Sequence, residues 1–565
     1  MGVITGPTAP AGITTDLMTV LGGRDTRWFK GCLLKLNMML IFLCLSNCGN
    51  GYDGSMMNGL QSLTNWRTYF NHPENNASLL GVFNAIQTIG AVVGLPLAPI
   101  VNDRLGRRWS IFIGNAIVLI ATGIQAGAQN VGMFIGSRCL VGFGLSFACM
   151  GAPILITELA FPTHRAPVTS IFNTGWGFGS IIAAWTTYGT FRISNNWAWR
   201  LPSLLQGVTA GIQVIGIWFV PESPRWLIDH GRDEEARNIL AKYHCNGNFD
   251  DPLLAFEFEE IKEAIRAEKE NAQSSSMKEL FTTKPNLRRL RVYLALAIAG
   301  QWSGSGIISY YLTVVLDSIG ITSQDTQTLI NGMNTLWSWI VGFSFALMID
   351  KMGRRKMILI SFIGMCFNFT SWTICSAIYT KSATEYDPAC LAANGGSSAN
   401  CVATNANQAA GHAILAFIFI NALFYWIGIG PVGSTYALEI LPYRLRTKGI
   451  FVYQMAVNAA LVFNQYVNPI ALSALGWRYY LVYCVFLAFE VVYFYVFLIE
   501  TRGPNGPLPL EEISFLFEKG AYGFQKPPKV GIEDIEHAAH NDEKDVTEKD
   551  VTEIEQQERV TTLAG

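Results

Sequence analysis

Asp103-Arg104-Leu105-Gly106-Arg107-Arg108 returns, far along the same chain, as Asp350-Lys351-Met352-Gly353-Arg354-Arg355. Each copy places an acid, a glycine and two arginines in a short turn between apolar runs. Two further landmarks recur in the same order. Glu158-Leu159-Ala160-Phe161-Pro162 with Arg165 is matched by Glu439-Ile440-Leu441-Pro442 with Arg446, and Val220-Pro221-Glu222-Ser223 is echoed by Ile499-Glu500-Thr501. One repeated hexamer is weak; three landmarks in order, all at the edges of apolar runs, indicate a chain written twice.

Composition says what kind of chain is written twice. Of 565 residues, 15% are charged, where a soluble protein has about 25%. Hydrophobic residues make up 50%, aromatics 12%, and mean hydropathy is +0.28. So little charge cannot cover a soluble surface, which excludes soluble, disordered and coiled-coil classes. Eleven cysteines argue against a disulfide scaffold, and a net charge of −2 gives no footing for nucleic acid. A polytopic membrane protein remains.

A membrane helix needs about 20 mainly apolar residues. Twelve runs qualify: 36–52, 79–101, 109–128, 131–155, 168–188 and 204–220 in the first half, then 292–316, 328–349, 357–379, 412–438, 450–472 and 479–499 in the second. The expected fold is all-α, with twelve transmembrane helices in two parallel six-helix halves, the architecture of alternating-access transporters. The domains are a tail over 1–35, a bundle over 36–224, a linker over 225–291, a second bundle over 292–503 and a tail over 504–565. In the linker, 232–243 and 251–270 read as amphipathic helices. The last tail carries an acidic repeat near 543–552 and is expected to be disordered.

Lys and Arg set orientation. Arg104, Arg107 and Arg108, then Lys351, Arg354, Arg355 and Lys356, then Arg444, Arg446 and Lys448 all fall on one side. That side, with both termini, is expected to be cytoplasmic. The first 27 residues hold no apolar core, so the first span is expected to act as the insertion signal. The sequon Asn76-Ala77-Ser78 falls on the other side, where a glycan can be added. Cys390 and Cys401 share the longest outer loop and are read either as a disulfide or as two free thiols. Arg107, Glu158, Arg165 and Glu222 form one candidate cytoplasmic gate cluster, and Arg354, Glu439, Arg446 and Glu500 the other. Such pairs are expected to hold the cytoplasmic ends of the halves together when the site faces outward.

Together these motifs resemble the sugar porter family of the major facilitator superfamily. The resemblance is carried by Gly51-Tyr52-Asp53, both glycine–arginine turns, Arg138, Glu158, Pro221-Glu222-Ser223-Pro224-Arg225-Trp226, Gln301-Trp302-Ser303-Gly304 with Tyr310-Tyr311, Glu439, and Glu500-Thr501-Arg502-Gly503. Finer wording, in Gly51-Tyr52-Asp53-Gly54-Ser55, Asn173-Thr174-Gly175-Trp176 and Asn468-Pro469-Ile470-Ala471-Leu472, is similar to fungal lactose and cellodextrin permeases. The chain departs from the family at Asn173, where Gln is usual, and at Ser305, Gly306 and Ser434, where larger groups are usual. That implies room for a larger or a different sugar.

A sugar site needs uncharged amides and hydroxyls and an aromatic platform. Candidates for the first are Asn173, Gln301, Ser305, Asn334 and Asn458; for the second, Trp426 and Tyr311. Asn334 and Asn458 are equally read as interhelical hydrogen-bonding groups, and Trp426 as a lipid-facing one. Charges inside a membrane are costly and usually paired. By resemblance, Asp53 and Arg138 adjoin each other as in proton-coupled sugar porters. A neighbouring guanidinium favours the ionised carboxylate and separation favours protonation, which would couple conformation to a proton. The other reading of the pair is static and structural. The expected function is sugar/proton symport across the plasma membrane, of a disaccharide such as lactose or of a monosaccharide, by a monomer whose partners are a sugar, a proton and the lipid bilayer. A uniporter and a non-transporting sensor are the alternatives. The sequence offers no catalytic triad, nucleotide loop or metal-ligand cluster, so no enzyme activity and no cofactor are expected.

Overall fold

The computed structural model describes residues 27–28, 31–274, 277–348, 352–385, 405–442, 445–503, 506–508, 510–519 and 523. Cys390, Cys401 and the acidic tail repeat lie outside them. Twelve spans stand in two halves of six. The first half holds Cys32–Leu43 with Leu45–Ser62, Ala77–Gly94 running on into Leu97–Leu105, Arg107–Ala126, Val131–Leu159, Arg165–Thr190, and Trp197–Leu205 with Gly207–Gly216. The second holds Lys284–Trp302 with Ser305–Ser318, Gln324–Ala346, Arg354–Ser382, Gln408–Ile427 with Ile429–Ile440, Arg446–Leu475 and Tyr479–Phe497. Spans are numbered one to twelve in this order. The side bearing the glycine–arginine turns is called the basic face, and the opposite side the far face.

Eight helical stretches are long and apolar enough to cross a membrane, and the last, Lys448–Phe497, runs through two spans. Spans five, seven and eight fall short, span seven because it is broken at Ser303-Gly304 and its first piece opens with Lys284, Arg288, Arg289 and Arg291. Polar residues also hide the true length of span one. Its apolar run stops near residue 52, yet the helix continues to Ser62. Asn58, Gln61 and Ser62 are buried there and bonded to the other half. Spans seven and ten are interrupted, the former at Ser303-Gly304, where Gly304 has φ +83°.

Between the halves run Pro224–Asp229, Asp233–His244 and Pro252–Ser274. They dock on the first half, where His244 bonds Glu257 through Nδ1 at 2.7 Å and the Leu159 carbonyl through Nε2 at 3.1 Å. Past span twelve come a two-residue antiparallel pairing, Arg502–Gly503 with Gly506–Pro507, and the helix Leu510–Lys519.

The repeated motif has a physical reason. A helix start leaves backbone N–H groups without partners and carries partial positive charge. Span three begins at Arg107, and the Glu222 carboxylate, returning from the end of span six, accepts the N–H of Arg107 and of Arg108, each at 3.1 Å. In the second half Glu500 accepts the N–H of Arg354 at 3.0 Å, at the start of span nine. The glycine before each helix has positive φ, +96° at Gly106 and +87° at Gly353. A Cβ on Gly106 would sit 2.4 Å from a Glu222 oxygen, and on Gly353 2.9 Å from a Glu500 oxygen. Glycine is therefore required twice over, by backbone conformation and by the approach of the cap.

The halves join on the far side and at mid-membrane. Arg67 pairs with Asp317 at 3.3 Å, Thr64 bonds Gln324 at 3.1 Å, Ser62 bonds Thr313 at 2.9 Å, and Thr88 bonds Gln465 at 2.8 Å. The far face is closed in this conformation. Within the first half, spans one and five touch backbone to backbone, so that a Cβ on Gly51 would lie 1.8 Å from the Trp176 carbonyl oxygen.

Four outcomes are expected. Gly51→Ala should lower the melting temperature of the purified protein in detergent by an amount worth about 1–3 kcal/mol, the range for forced overpacking. Gly123→Ala, inside span three with nothing within 4 Å of its added carbon, should not lower it and should raise it by an amount worth about 0.5–1 kcal/mol. Glu222→Ala should cost about 1–2 kcal/mol as a lost cap. Burial pushes the Glu222 carboxyl above its ordinary range against the pull of its three N–H donors, Ser223, Arg108 and Arg107. A raised carboxyl takes up protons on folding, so its contribution to stability falls as pH rises through that range. Glu222→Gln, which keeps an acceptor oxygen without the charge, should therefore gain on the wild type as pH is raised; melting temperatures across a pH series measure it.

Candidate functional site

Asp53, in span one, is fully buried, and Arg138, in span four, is 2% exposed. Arg138 reaches one Asp53 oxygen, Oδ1, through Nη1 at 3.3 Å. The remaining guanidinium nitrogens are held by the Phe83 carbonyl at 3.0 Å and by the Gln87 side-chain oxygen at 3.1 Å. Gln206, at the joint between the two pieces of span six, donates to the same Asp53 Oδ1 at 2.8 Å. The second carboxylate oxygen, Oδ2, is buried with no hydrogen-bond partner among the described residues. One oxygen of the carboxylate thus carries the ion pair and the other is open to a proton. Span one is aimed by its neighbours: the Tyr52 hydroxyl donates to the Pro202 carbonyl at 2.9 Å.

The candidate sugar-contacting residues fall into two groups and several outliers. Around the interruption of span seven, Gln301 and Ser305 are half-buried. Asn464 donates to the Gln301 carbonyl at 2.7 Å and Asn421 to the Ser305 hydroxyl at 3.1 Å. Asn464 leads into a buried polar network, receiving Asn468 at 2.6 Å, and Asn468 accepts the Tyr479 and Tyr483 hydroxyls at 2.8 and 2.7 Å. Between spans eight and ten, Trp426 is half-buried and lies over two glycines; added carbons would meet its ring at 2.8 Å from Gly342 and 2.4 Å from Gly430. Asn334, on span eight, is buried with its carbonyl oxygen unpartnered among the described residues.

Asn173 is exposed, and its backbone carbonyl takes a 3.5 Å contact from Asn47. Asn458 turns its amide back to the Gln454 carbonyl of its own helix, at 2.8 Å. Tyr311 is not an open platform here. Its ring is fully buried and its hydroxyl donates to the Gln465 carbonyl.

On the basic face, Arg107 grips Glu158 with two nitrogens, at 2.9 and 3.1 Å. Arg354 reaches Glu439 at 2.9 Å, and Thr501 donates to the other Glu439 oxygen at 2.6 Å. Arg165 donates to the Ala160 carbonyl at 3.2 Å, and Arg446 begins span eleven. The expected clasp between the halves belongs to the state with the far face open; in this conformation, with the far face closed, the pairs are intact inside their own halves rather than broken. Arg107–Glu158 ties span three to span four, Arg354–Glu439 ties span nine to span ten, and neither leaves its half. On the far face Asn76 caps span two, accepting the Leu79 N–H at 3.2 Å.

Gln206, Gln87, Asn58 and Gln465 were not singled out by sequence. Each is an uncharged amide in an apolar span, a residue type equally at home in any interhelical contact. Only their neighbours in space set them apart. Among the described residues no cluster of His, Cys, Asp and Glu is arranged to hold a metal ion.

Comparison with known proteins gives this geometry a family. The high-affinity glucose transporter of Kluyveromyces lactis is 28% identical over 475 residues, covering 83% of each chain. A probable quinate permease of Aspergillus terreus is 25% identical over 510 residues, covering 86% of this chain and 87% of its own. An inward open structure of the xylose transporter XylE from E. coli shares the fold with a TM-score of 0.67 at 22% identity, over 85% of this chain and 99% of that one. These relatives are named for glucose, quinate and xylose, which places the chain more broadly than the lactose and cellodextrin permeases its finer wording resembles. The family model described as sugar (and other) transporter matches residues 39–517. The chain belongs to that transporter family, within the major facilitator superfamily.

Proposed function

We propose that this chain moves a neutral sugar together with a proton across the plasma membrane by alternating access, with the basic face and both termini in the cytoplasm. The observation that carries the reading is the buried Asp53–Arg138–Gln206 arrangement, in which one carboxylate oxygen is fully engaged and the other has no partner. A static pair would be expected to satisfy both oxygens, since a buried acceptor without a donor is costly. The orphan oxygen is where a proton binds. Sugar recognition belongs to the uncharged amides and hydroxyls around the span-seven interruption, Gln301, Ser305 and Asn421, with Trp426 as the apolar face. Asn173 sits on the other half and joins them only if the halves move closer, whereas Asn334 and Asn458 lie on spans eight and eleven of the same half as Gln301. The arginine–glutamate clusters act by keeping each half rigid while the halves rock. A monomer suffices, because the two halves already supply both sides of the site.

The names of the glucose and hexose relatives favour a monosaccharide. The small residues Ser305 and Ser434, where larger groups are usual, favour a disaccharide such as lactose. In a yeast stripped of its own sugar carriers, competition by a panel of mono- and disaccharides against labelled glucose and labelled lactose decides between them. Competition by monosaccharides alone would refute the enlarged cavity, and uptake of neither label, nor of any panel sugar, would refute both symport and uniport of sugar.

Asp53→Asn should abolish uphill accumulation while preserving exchange of sugar down its gradient, because the amide keeps the shape but cannot take and release a proton. Wild-type uptake should alkalinise an unbuffered medium and collapse with a protonophore. One charge crossing 100 mV is worth about 2.3 kcal/mol, enough for more than tenfold accumulation. Uptake indifferent to both pH and protonophore would mean a uniporter with a structural ion pair.

A further inference from the structure

Span seven is broken a second time, and the other half of the protein repairs the break. Within Ser305–Ser318 the backbone of Tyr311 is non-helical, at φ −135° and ψ 27°. In an uninterrupted helix the Leu312 N–H would pair with the Ile308 carbonyl, four residues back. Here both groups turn to one side chain. Asn58, on span one, accepts the Leu312 N–H through Oδ1 at 3.2 Å and donates through Nδ2 to the Ile308 carbonyl at 3.0 Å. The same amide nitrogen also reaches the Ser309 carbonyl at 3.0 Å. One turn on, Gln61 donates to the Tyr310 carbonyl at 3.0 Å, and Thr313 bonds both Ser62, at 2.9 Å, and the Asn58 carbonyl, at 3.3 Å. Asn58 is 5% exposed and Thr313 3%.

We infer that Asn58 is the positioning residue of far-side closure: its carboxamide splices into the opened hydrogen-bond ladder of span seven and holds the kinked segment against span one. A carboxamide is the one uncharged side chain with a donor and an acceptor side by side, which is what a split N–H···O=C pair presents. In a membrane the freed backbone groups must have partners. When span one withdraws, the kink loses them and the helix regains its own Ile308–Leu312 bond. Opening of the far face is therefore a change of helix shape in span seven, exchanged against the grip of Asn58, and not only a rigid parting of the halves. The inference rests on the chain being an alternating-access transporter but is independent of the sugar and of the proton.

The test uses the full-length protein purified in detergent and a hydrophilic maleimide. Thr313→Cys places a thiol that closure buries, and the unsubstituted protein serves as the blank for native cysteines. Adding Asn58→Leu removes all three hydrogen bonds at similar side-chain size and should raise the labelling rate at position 313 at least about tenfold, the shift expected from losing three bonds of ordinary net strength. Gln61→Leu in place of Asn58→Leu should raise it less, and it carries the test if the Asn58 variant fails to fold. Thr187→Cys, buried inside the first half, should stay unlabelled throughout. An unchanged rate at 313 overturns the inference. So does a rise at 187 to match that at 313, which would mean general loosening. Because no substrate enters, either result stands apart from the outcome of the uptake experiments.

Discussion

A backbone N–H or C=O that leaves its helix inside hydrocarbon finds no water, so each irregularity in this fold must come with its own partner. The structure shows that requirement being met at three depths. At the basic face, where charge is tolerable, carboxylates do the work: Glu222 and Glu500 cap the starts of spans three and nine. At the interruption of span seven an amide does it, Asn464 taking the Gln301 carbonyl. Toward the far face Asn58 and Gln61 do it for the kink at Tyr311. The order follows desolvation. A buried carboxylate without a counter-charge is far costlier than a buried amide, so away from the faces uncharged groups take over.

Two sites break this order: Glu490 in span twelve, buried with both carboxylate oxygens unpartnered among the described residues, and a pair in the first half that shows the rule from the other side. Asp53 and Arg138 are the charges brought into the membrane part of the first half that serve no helix end. They are held by Gln87, Gln206 and the Phe83 carbonyl, a shell more elaborate than either needs for packing. That shell still leaves Asp53 Oδ2 bare. A group so expensively placed and so incompletely satisfied is better explained by what it does than by what it stabilises.

What could be read in the sequence, and what could not, divides along the same line. The duplicated turn was legible because its roles tolerate few residue types: only glycine takes φ near +90° with a carboxylate where Cβ would be, and a carboxylate suits a helix start. The grouping of Arg107 with Glu158 and of Arg354 with Glu439 was legible in the repeated motifs. What the spacing does not say is whether such a cluster also reaches the other half. The end of span one was misjudged because run-length reading charges Asn58, Gln61 and Ser62 against the helix, when they are polar for the sake of the other half. Tyr311 looked like a sugar platform because an aromatic beside an interruption can be one. Its burial and its bond to the Gln465 carbonyl are set by packing against other spans, which spacing along the chain does not show.

The last step concerns which residues sit next to each other on one helix. Asp53 and Asn58 are five residues apart on span one, about 7.5 Å along the axis and on different sides of it. The first faces spans four and six of its own half, and the second grips span seven of the other half. Span two repeats the arrangement with adjacent residues: Gln87 holds Arg138, and Thr88 bonds Gln465, whose backbone carbonyl receives the Tyr311 hydroxyl. Two helices therefore each carry one contact to the ion pair and one contact to the kinked half. On the proposed proton coupling, a shift of span one would be carried to Asn58, and a shift of span four would reach Thr88 through Arg138 and Gln87 on span two. A coupling of that kind would need no long pathway, because each of these helices would itself be the connection.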